Sequence, residues 1–392
     1  MKILIGLVVL ALVLGQHGVQ GERSTIFEDM NLEEQLMILN KPSIKTFHTE
    51  EGDIFDCVDI YKQPALDHPL LKNHKIQMRP TSLPEGLINE PASIATSSLS
   101  NGVDCPQGTV PIRRTQKEDL LRVKSFSDEY QLTKNIHPHT TIFPNQHMVS
   151  LAPNYLWALY YGARASISVH HLDINNDQYT TAQMWLGRRP IDQYSIQAGW
   201  MIGSKITGDN LTRSFVYWTK DQSKKTGCFN QLCPGFVQVH KQVTIGSVLK
   251  EISVYGEAQK SMDLSVFRDR NTGHWWLQLN GAINVGYLPK TLIPQLVEGL
   301  SDIAWGGLAV NPPNGHSPPM GNGHFPKGNF TTAASFTAVK IVDSTNTYRI
   351  PDDIDVKFLV ENRACYNIEF HGKYLNEGLA FLYGGPGGDC KD

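Results

Sequence analysis

Between Ser195 and Ile202 every second residue is apolar, with Ile196, Ala198, Trp200 and Ile202 on one side and Ser195, Gln197 and Gly199 on the other. A period of two fits a half-buried strand, with Gln197 pointing away from the apolar face, and does not fit a helix, whose faces repeat about every 3.6 residues. The alternation returns in Val237 and Val239 against Gln238 and His240, and in Met262, Leu264 and Val266 against Asp263 and Ser265. It returns again in Trp275, Leu277 and Leu279 against Trp276 and Gln278. Asp269-Arg270-Asn271-Thr272-Gly273 joins the last two runs with hairpin-loop chemistry. Leu292, Leu296, Leu300 and Ile303 fall at helical spacing and predict one interrupting helix. Further strands are expected over 334–342 and roughly 379–383. Many short strands with turns between them, in a chain with 33 Gly and 22 Pro, predict two packed antiparallel sheets.

The N-terminal part reads differently. Lys2 precedes the apolar run Ile3 to Gly15, and Val19 and Gly21 stand where a signal peptidase reads, so residues 1–21 are expected to be a signal peptide. The run is too short to span a bilayer, no second span is visible, and the end from Gly384 to Asp392 lacks a lipid-anchor tail. Asn31 is placed to cap a short helix with Glu34 at the capping-box position and Leu32, Leu36 and Leu39 as its stripe. Gly52 to Tyr61 reads as a strand, and 81–104 as loop. A boundary or processing site is expected within 115–145, around the charged run Lys117 to Lys124 and His137-Pro138-His139.

Six cysteines in an oxidising compartment suit three bridges among fifteen possible connectivities. Cys57 and Cys105 lie in the N-terminal half, Cys228 and Cys233 fit a small-loop staple, and Cys365 pairs naturally with Cys390. Zinc at Cys228 and Cys233 would need a second Cys/His pair that the spacing does not offer. Asn210-Leu211-Thr212 and Asn329-Phe330-Thr331 are N-glycosylation acceptors and are expected at the surface.

Other chemistries find little support. With 35 Lys+Arg against 38 Asp+Glu and no basic block, nucleic acid is not an expected partner. No Gly-x-Ser-x-Gly elbow marks a serine nucleophile, and adjacent His170 and His171 leave opposite faces of a strand-like run. No metal or cofactor is expected. Of the aromatic residues, Trp200, Trp218 and Trp275 are assigned to the core, while Trp276 and Tyr217 are candidates for a binding cleft.

A longer series of motifs then becomes specific. Ser195-Ile196-Gln197-Ala198-Gly199-Trp200 leads into Gly208-Asp209-Asn210-Leu211-Thr212-Arg213 and Tyr217-Trp218-Thr219. Thr226-Gly227-Cys228 to Cys233-Pro234-Gly235-Phe236, Trp305-Gly306-Gly307, Met320-Gly321-Asn322-Gly323-His324-Phe325 and Tyr383-Gly384-Gly385-Pro386-Gly387 follow in order. This series resembles the neprosin family of plant secreted proteins, and Asp53 to Leu71 resembles that family's activation peptide. The resemblance implies an all-β antiparallel sandwich over 150–392, preceded by a smaller α+β pro-region over 22–135 that blocks the cleft until removed. It implies a secreted protein, extracellular or in the vacuolar lumen, with His324 as a further cleft candidate.

Active members of that family are glutamic endopeptidases that cut after proline in acid, with two glutamates sharing one water. One is general base; the other, protonated, polarises the scissile carbonyl. On the aligned motifs the first position is Gln197 and the second Leu308. An amide and an isobutyl group cannot take those roles. The expected function is therefore a catalytically impaired homologue that binds a peptide, such as a proline-rich one, or an extracellular or cell-wall protein. The alternative is an active acid prolyl endopeptidase with displaced carboxylates, for which Asp302 and Asp209 are nearest in sequence.

Overall fold

The computed structural model describes residues 27, 30–86, 96–130, 145–154, 158–188, 194–221, 226–313, 315–375 and 377–390. The expected signal peptide over 1–21 and the histidines His137 and His139 lie outside them. No helix among the described residues is long and apolar enough to cross a membrane.

An N-terminal layer comes first. Helix α1 (Leu32–Leu39) carries the expected capping box, with Asn31 accepting from the Glu34 N–H and Glu34 accepting from the Asn31 N–H. Strands β1 (Ser43–His48), β2 (Ile54–Asp59) and β3 (Thr109–Arg113) form a three-stranded antiparallel sheet. Cys57–Cys105 ties β2 to the approach to β3. The stretch read as loop contains a short helix, α2 (Thr96–Leu99), because Leu99 buries itself in the main core and tertiary contact overrides a turn-rich composition. The charged run becomes α3 (Lys117–Tyr130), started by Asp119 accepting from the Gln116 N–H.

The remaining strands are β4 (Gln146–Pro153), β5 (Gly162–Ser168), β6 (Tyr179–Gly187), β7 (Ser195–Ile202), β8 (Arg213–Thr219), β9 (Cys228–Phe229), β10 (Val237–Gln238) and β11 (Ser261–Arg268). They continue with β12 (Trp275–Leu279), β13 (Ile283–Leu288), β14 (Asp302–Val310), β15 (Ala334–Val342), β16 (Tyr348–Arg349), β17 (Val356–Val360), β18 (Asn367–Tyr374) and β19 (Gly378–Gly384). One sheet has seven strands in the order β17-β4-β14-β6-β7-β8-β9. The other has nine, β10-β13-β12-β11-β5-β15-β19-β18, with β16 beside β15. All their pairings are antiparallel, and Trp200, Trp218, Trp275, Trp305, Phe336 and Phe381 share one core between the sheets.

The helix expected across Leu292–Ile303 does not form. A single 3-10 turn, Pro294–Glu298, is followed by Gly299 at φ 110° and then by β14. Gly299 takes a left-handed conformation that stops the turn, and Leu300 then bridges Tyr160. The spacing arose because Leu292, Leu296, Leu300 and Ile303 all reach the shared core by another route. The other disulfides are Cys228–Cys233 and Cys365–Cys390.

The N-terminal layer also grips the outer side of the nine-stranded sheet. Gln63 exchanges hydrogen bonds with the backbone of Gln238, and Asp269 accepts from the Gln77 side chain and from the N–H and hydroxyl of Thr81. His74 bonds the Tyr287 hydroxyl at 2.7 Å and packs edge-on against His274 at 5.3 Å. Burial, then the nearby His74 and Lys290, push His274 down to about 4, with Asp269 opposing; burial also lowers His74. The unfolded chain binds these protons near pH ~6.5, so the contact's stability is complete above that value and is lost as pH falls toward the folded pKa. Amide exchange over residues 74–85 is expected to quicken between about pH 7 and about pH 4.5, after correction for intrinsic rates, and His274→Asn should remove most of that change. Exchange that keeps the same protection at both pH values would contradict this.

Candidate functional site

Strand polarity builds the site. On β7 the residues Ser195, Gln197, Gly199 and Met201 point away from the core, and the register extends that face across the seven-stranded sheet. Gln197 lies opposite Trp185 on β6 and Tyr217 on β8, and Trp185 lies opposite Ala304 on β14. The next row on the same face is Ser150, Gly306, Gln183, Gly199 and Phe215. The row beyond holds Met148, Leu308, Thr181, Met201 and Arg213.

The middle row is a trough for a steric reason. A Cβ on Gly199 would lie 2.0 Å from the Ala182 carbonyl oxygen, and one on Gly306 would lie 1.9 Å from that of Val149. Neither position tolerates a side chain, so Gln183 alone rises between them. The flanking rows are four residues apart, about 13 Å at ~3.3 Å per residue, wide enough for an extended peptide crossing the strands. Gln197 stands on one wall and Leu308 on the other.

Gln183 Nε2 donates to Gln197 Oε1 at 2.7 Å, and both side chains are buried. Half-buried Leu308 lies opposite Met148 and Thr181 in register and packs against two apolar clusters, one that includes Tyr179 and Met201 and one that includes Met148. The hydroxyls of Ser150, Thr181 and Ser195 are buried on this face with no hydrogen-bond partner among the described residues. Two amides can donate and accept hydrogen bonds but do not titrate, so this pair can hold a peptide group and cannot move a proton.

Among the described residues, the carboxylates near the trough do not form a pair. Asp302, at the start of β14, accepts from the Ser301 hydroxyl at 2.9 Å. Glu361, just beyond β17, accepts from the N–H of Met148, the register partner of Leu308. Leu308 is six residues from Asp302 along one strand, about 20 Å, so the two acids cannot share one water. Asp209 is committed to Arg213 at 2.6 Å. Among the described residues no three His, Cys, Asp or Glu side chains are grouped to hold a metal.

Of the cleft candidates, Tyr217 stands beside Gln197 and two do not reach the trough. Trp276 leaves the core side of β12, as alternation requires, but on the other sheet. It is buried under Ala65 and Ile76 of the N-terminal layer and packs on Tyr287 at 4.7 Å. His324 is exposed in the loop after Met320 and packs on Tyr255 at 4.6 Å. Asn329 is exposed, while Asn210 is half-buried, its carboxamide accepting from Ser204 N–H and donating to the Ile174 carbonyl. Sequence reasoning missed Gln183 and Arg213. The alternation of Ala182, Met184 and Leu186 marks Gln183 as outward, but Arg213 heads a strand whose faces are both apolar.

A family profile described as Neprosin matches residues 176–386, more than half of the chain, and one described as Neprosin activation peptide matches residues 46–152. The second match ends inside β4, which is an inner strand of the seven-stranded sheet. Among solved structures the chain is similar to a scytalido-glutamic peptidase bound to a peptide-based transition-state analogue, at 11% identity and a TM-score of 0.33, covering 62% of this chain and 99% of that one. It is similar also to SCP-B, a member of the eqolisin family of peptidases, in complex with the tripeptide Ala-Ile-His, at 10% identity and a TM-score of 0.32, with 62% and 99% covered.

Proposed function

Because the chain belongs to the neprosin family, we propose that it is a secreted peptide-binding protein whose peptidase-type groove has lost its acid–base pair. Gln197 and Leu308 occupy the two glutamate positions. Losing one positioned acid or base costs about 10²–10⁴-fold in rate, and here both are replaced. Leucine on the wall also disfavours a reactive water. The observation that carries this reading is the trough, whose floor and walls offer amides, spare hydroxyls and apolar surface but, among the described residues, no converging carboxylates. The wide spacing of Asp302 and Glu361 speaks against hydrolysis by displaced acids.

In this reading the ligand is a proline-rich peptide or an extracellular or cell-wall protein segment. The N-terminal layer, 22–135, is a pro-region released in the extracellular space or the vacuolar lumen. The peptidase-type domain begins with β4 at Gln146, a few residues before 150, because that strand cannot leave without splitting the sheet. A chain cut at an inserted protease site between α3 and β4 is expected to bind a proline-rich peptide saturably by calorimetry. Gln197→Ala and Thr181→Val should weaken that binding; heat signals that never saturate, or that ignore both changes, would refute the reading.

A further inference from the structure

The trough wall that carries Leu308 ends at Arg213, and the floor beside it ends on Phe215. The Arg213 side chain is 3% exposed. Its Nε and Nη2 are committed to Asp209 of the same domain, at 3.0 and 2.6 Å. Nη1 faces the other way, donating to the Gly246 carbonyl at 3.0 Å and to Oδ2 of Asp53 at 2.7 Å. Asp53 comes from the N-terminal layer, and its other oxygen accepts from Arg113 Nε at 2.7 Å. The groove-end cation thus meets a carboxylate delivered by a separate segment.

A cavity opens beside this contact, lined by Arg213, Gln231 and Thr207 on one side and by Arg113, Thr115 and Asp119 on the other. Asp119 is already paired with Arg122 and Arg113. The Gln231 Nε2 group is buried with no hydrogen-bond partner among the described residues. A buried donor without an acceptor, lining the same cavity as a guanidinium with one edge already fixed, is a place built for an acceptor oxygen.

We propose that Arg213 and Gln231 form a carboxylate-recognition subsite at the end of the groove, occupied here on its Arg213 side by Asp53 and taking the carboxylate of a bound peptide once Asp53 withdraws. This deepens the peptide-binding reading and rests on it. The carboxylate is either the peptide's C-terminus or an Asp or Glu side chain. Asp209 orients the guanidinium, and the N-terminal layer competes for the same fork with a group of the same chemistry.

In the full chain, Asp53→Gly leaves room for one acetate ion. Its Tm is expected to rise by about 2–4 °C in neutral acetate over chloride at equal ionic strength. Wild type and Asp53→Gly/Arg213→Gln should show no such rise. Equal melting of Asp53→Gly in the two salts overturns the proposal. Should that variant fail to fold, exchange over residues 49–56 of wild type replaces it: acetate competing with Asp53 should speed it, and identical exchange in both salts overturns the proposal.

The source of the carboxylate is read from proline-rich peptides on Asp53→Gly nicked between α3 and β4, both parts present. A loss of affinity on C-terminal amidation assigns the terminus, and a loss on Glu→Gln within the peptide assigns the side chain. Binding that ignores both changes overturns the subsite and leaves the groove reading intact. An acetate effect with no peptide binding keeps the subsite and removes the groove reading.

Discussion

Restoring glutamate at both Gln197 and Leu308 is expected to raise peptide cleavage in acid by at least ~10²-fold, with either change alone staying near background. The trough already holds environments that would drive the two new carboxyl groups apart. At 197, the Gln183 amide that now donates at 2.7 Å would donate to a carboxylate and keep it ionised as the base. At 308, the new carboxyl would sit beside Met148, against the apolar surface that now receives the leucine, where desolvation raises its pKa and keeps it protonated as the acid. Activity should fall as pH rises through that raised value, because the acid then loses its proton. The nicked double variant is assayed by mass spectrometry of products cut after proline, with circular dichroism to confirm folding. A folded double variant no faster than the parent would show that these are not the two catalytic positions.

Arg213→Met is expected to cost about 3–5 kcal/mol, because it takes the cation from Asp209 and leaves buried Asp53 with Arg113 alone. On a chain of this size that lowers Tm by about 4–6 °C. Burial alone would raise the Asp53 pKa, but hydrogen bonds and charge from Arg213 and Arg113 outweigh it and hold the carboxyl below its usual range. A depressed carboxylate contributes stability above its unfolded pKa of ~3.9 and loses it as pH falls through the folded value. The gap between wild type and Arg213→Met should therefore be full at neutral pH and shrink below about pH 4. Calorimetric melts at both pH values check this; equal Tm at neutral pH would mean the buried pair contributes nothing.

Sequence patterning revealed the sandwich because a period of two, repeated through β7, β11 and β12, admits one local answer. It also turned Gln197 away from the apolar face of β7, where the register then set Tyr217 beside it. What it could not reveal is what covers an outward face. Trp276 alternates away from the core as expected, yet the N-terminal layer lies over it, and no local pattern encodes a partner some 200 residues upstream. The leucine spacing before β14 misled because burial was achieved by a turn and a bridge instead of a helix. Gln183 and Arg213 gain meaning only from register, since a cross-strand neighbour is invisible until the strands are paired.

The most direct test is to hold the nicked wild-type chain with a proline-containing peptide in acid and follow the peptide's mass over many hours. The account predicts that the peptide is retained on the protein and recovered whole. Fragments that accumulate with time and disappear in Asp302→Asn or Glu361→Gln would contradict it, because a carboxylate would then be performing the chemistry that Gln197 and Leu308 cannot.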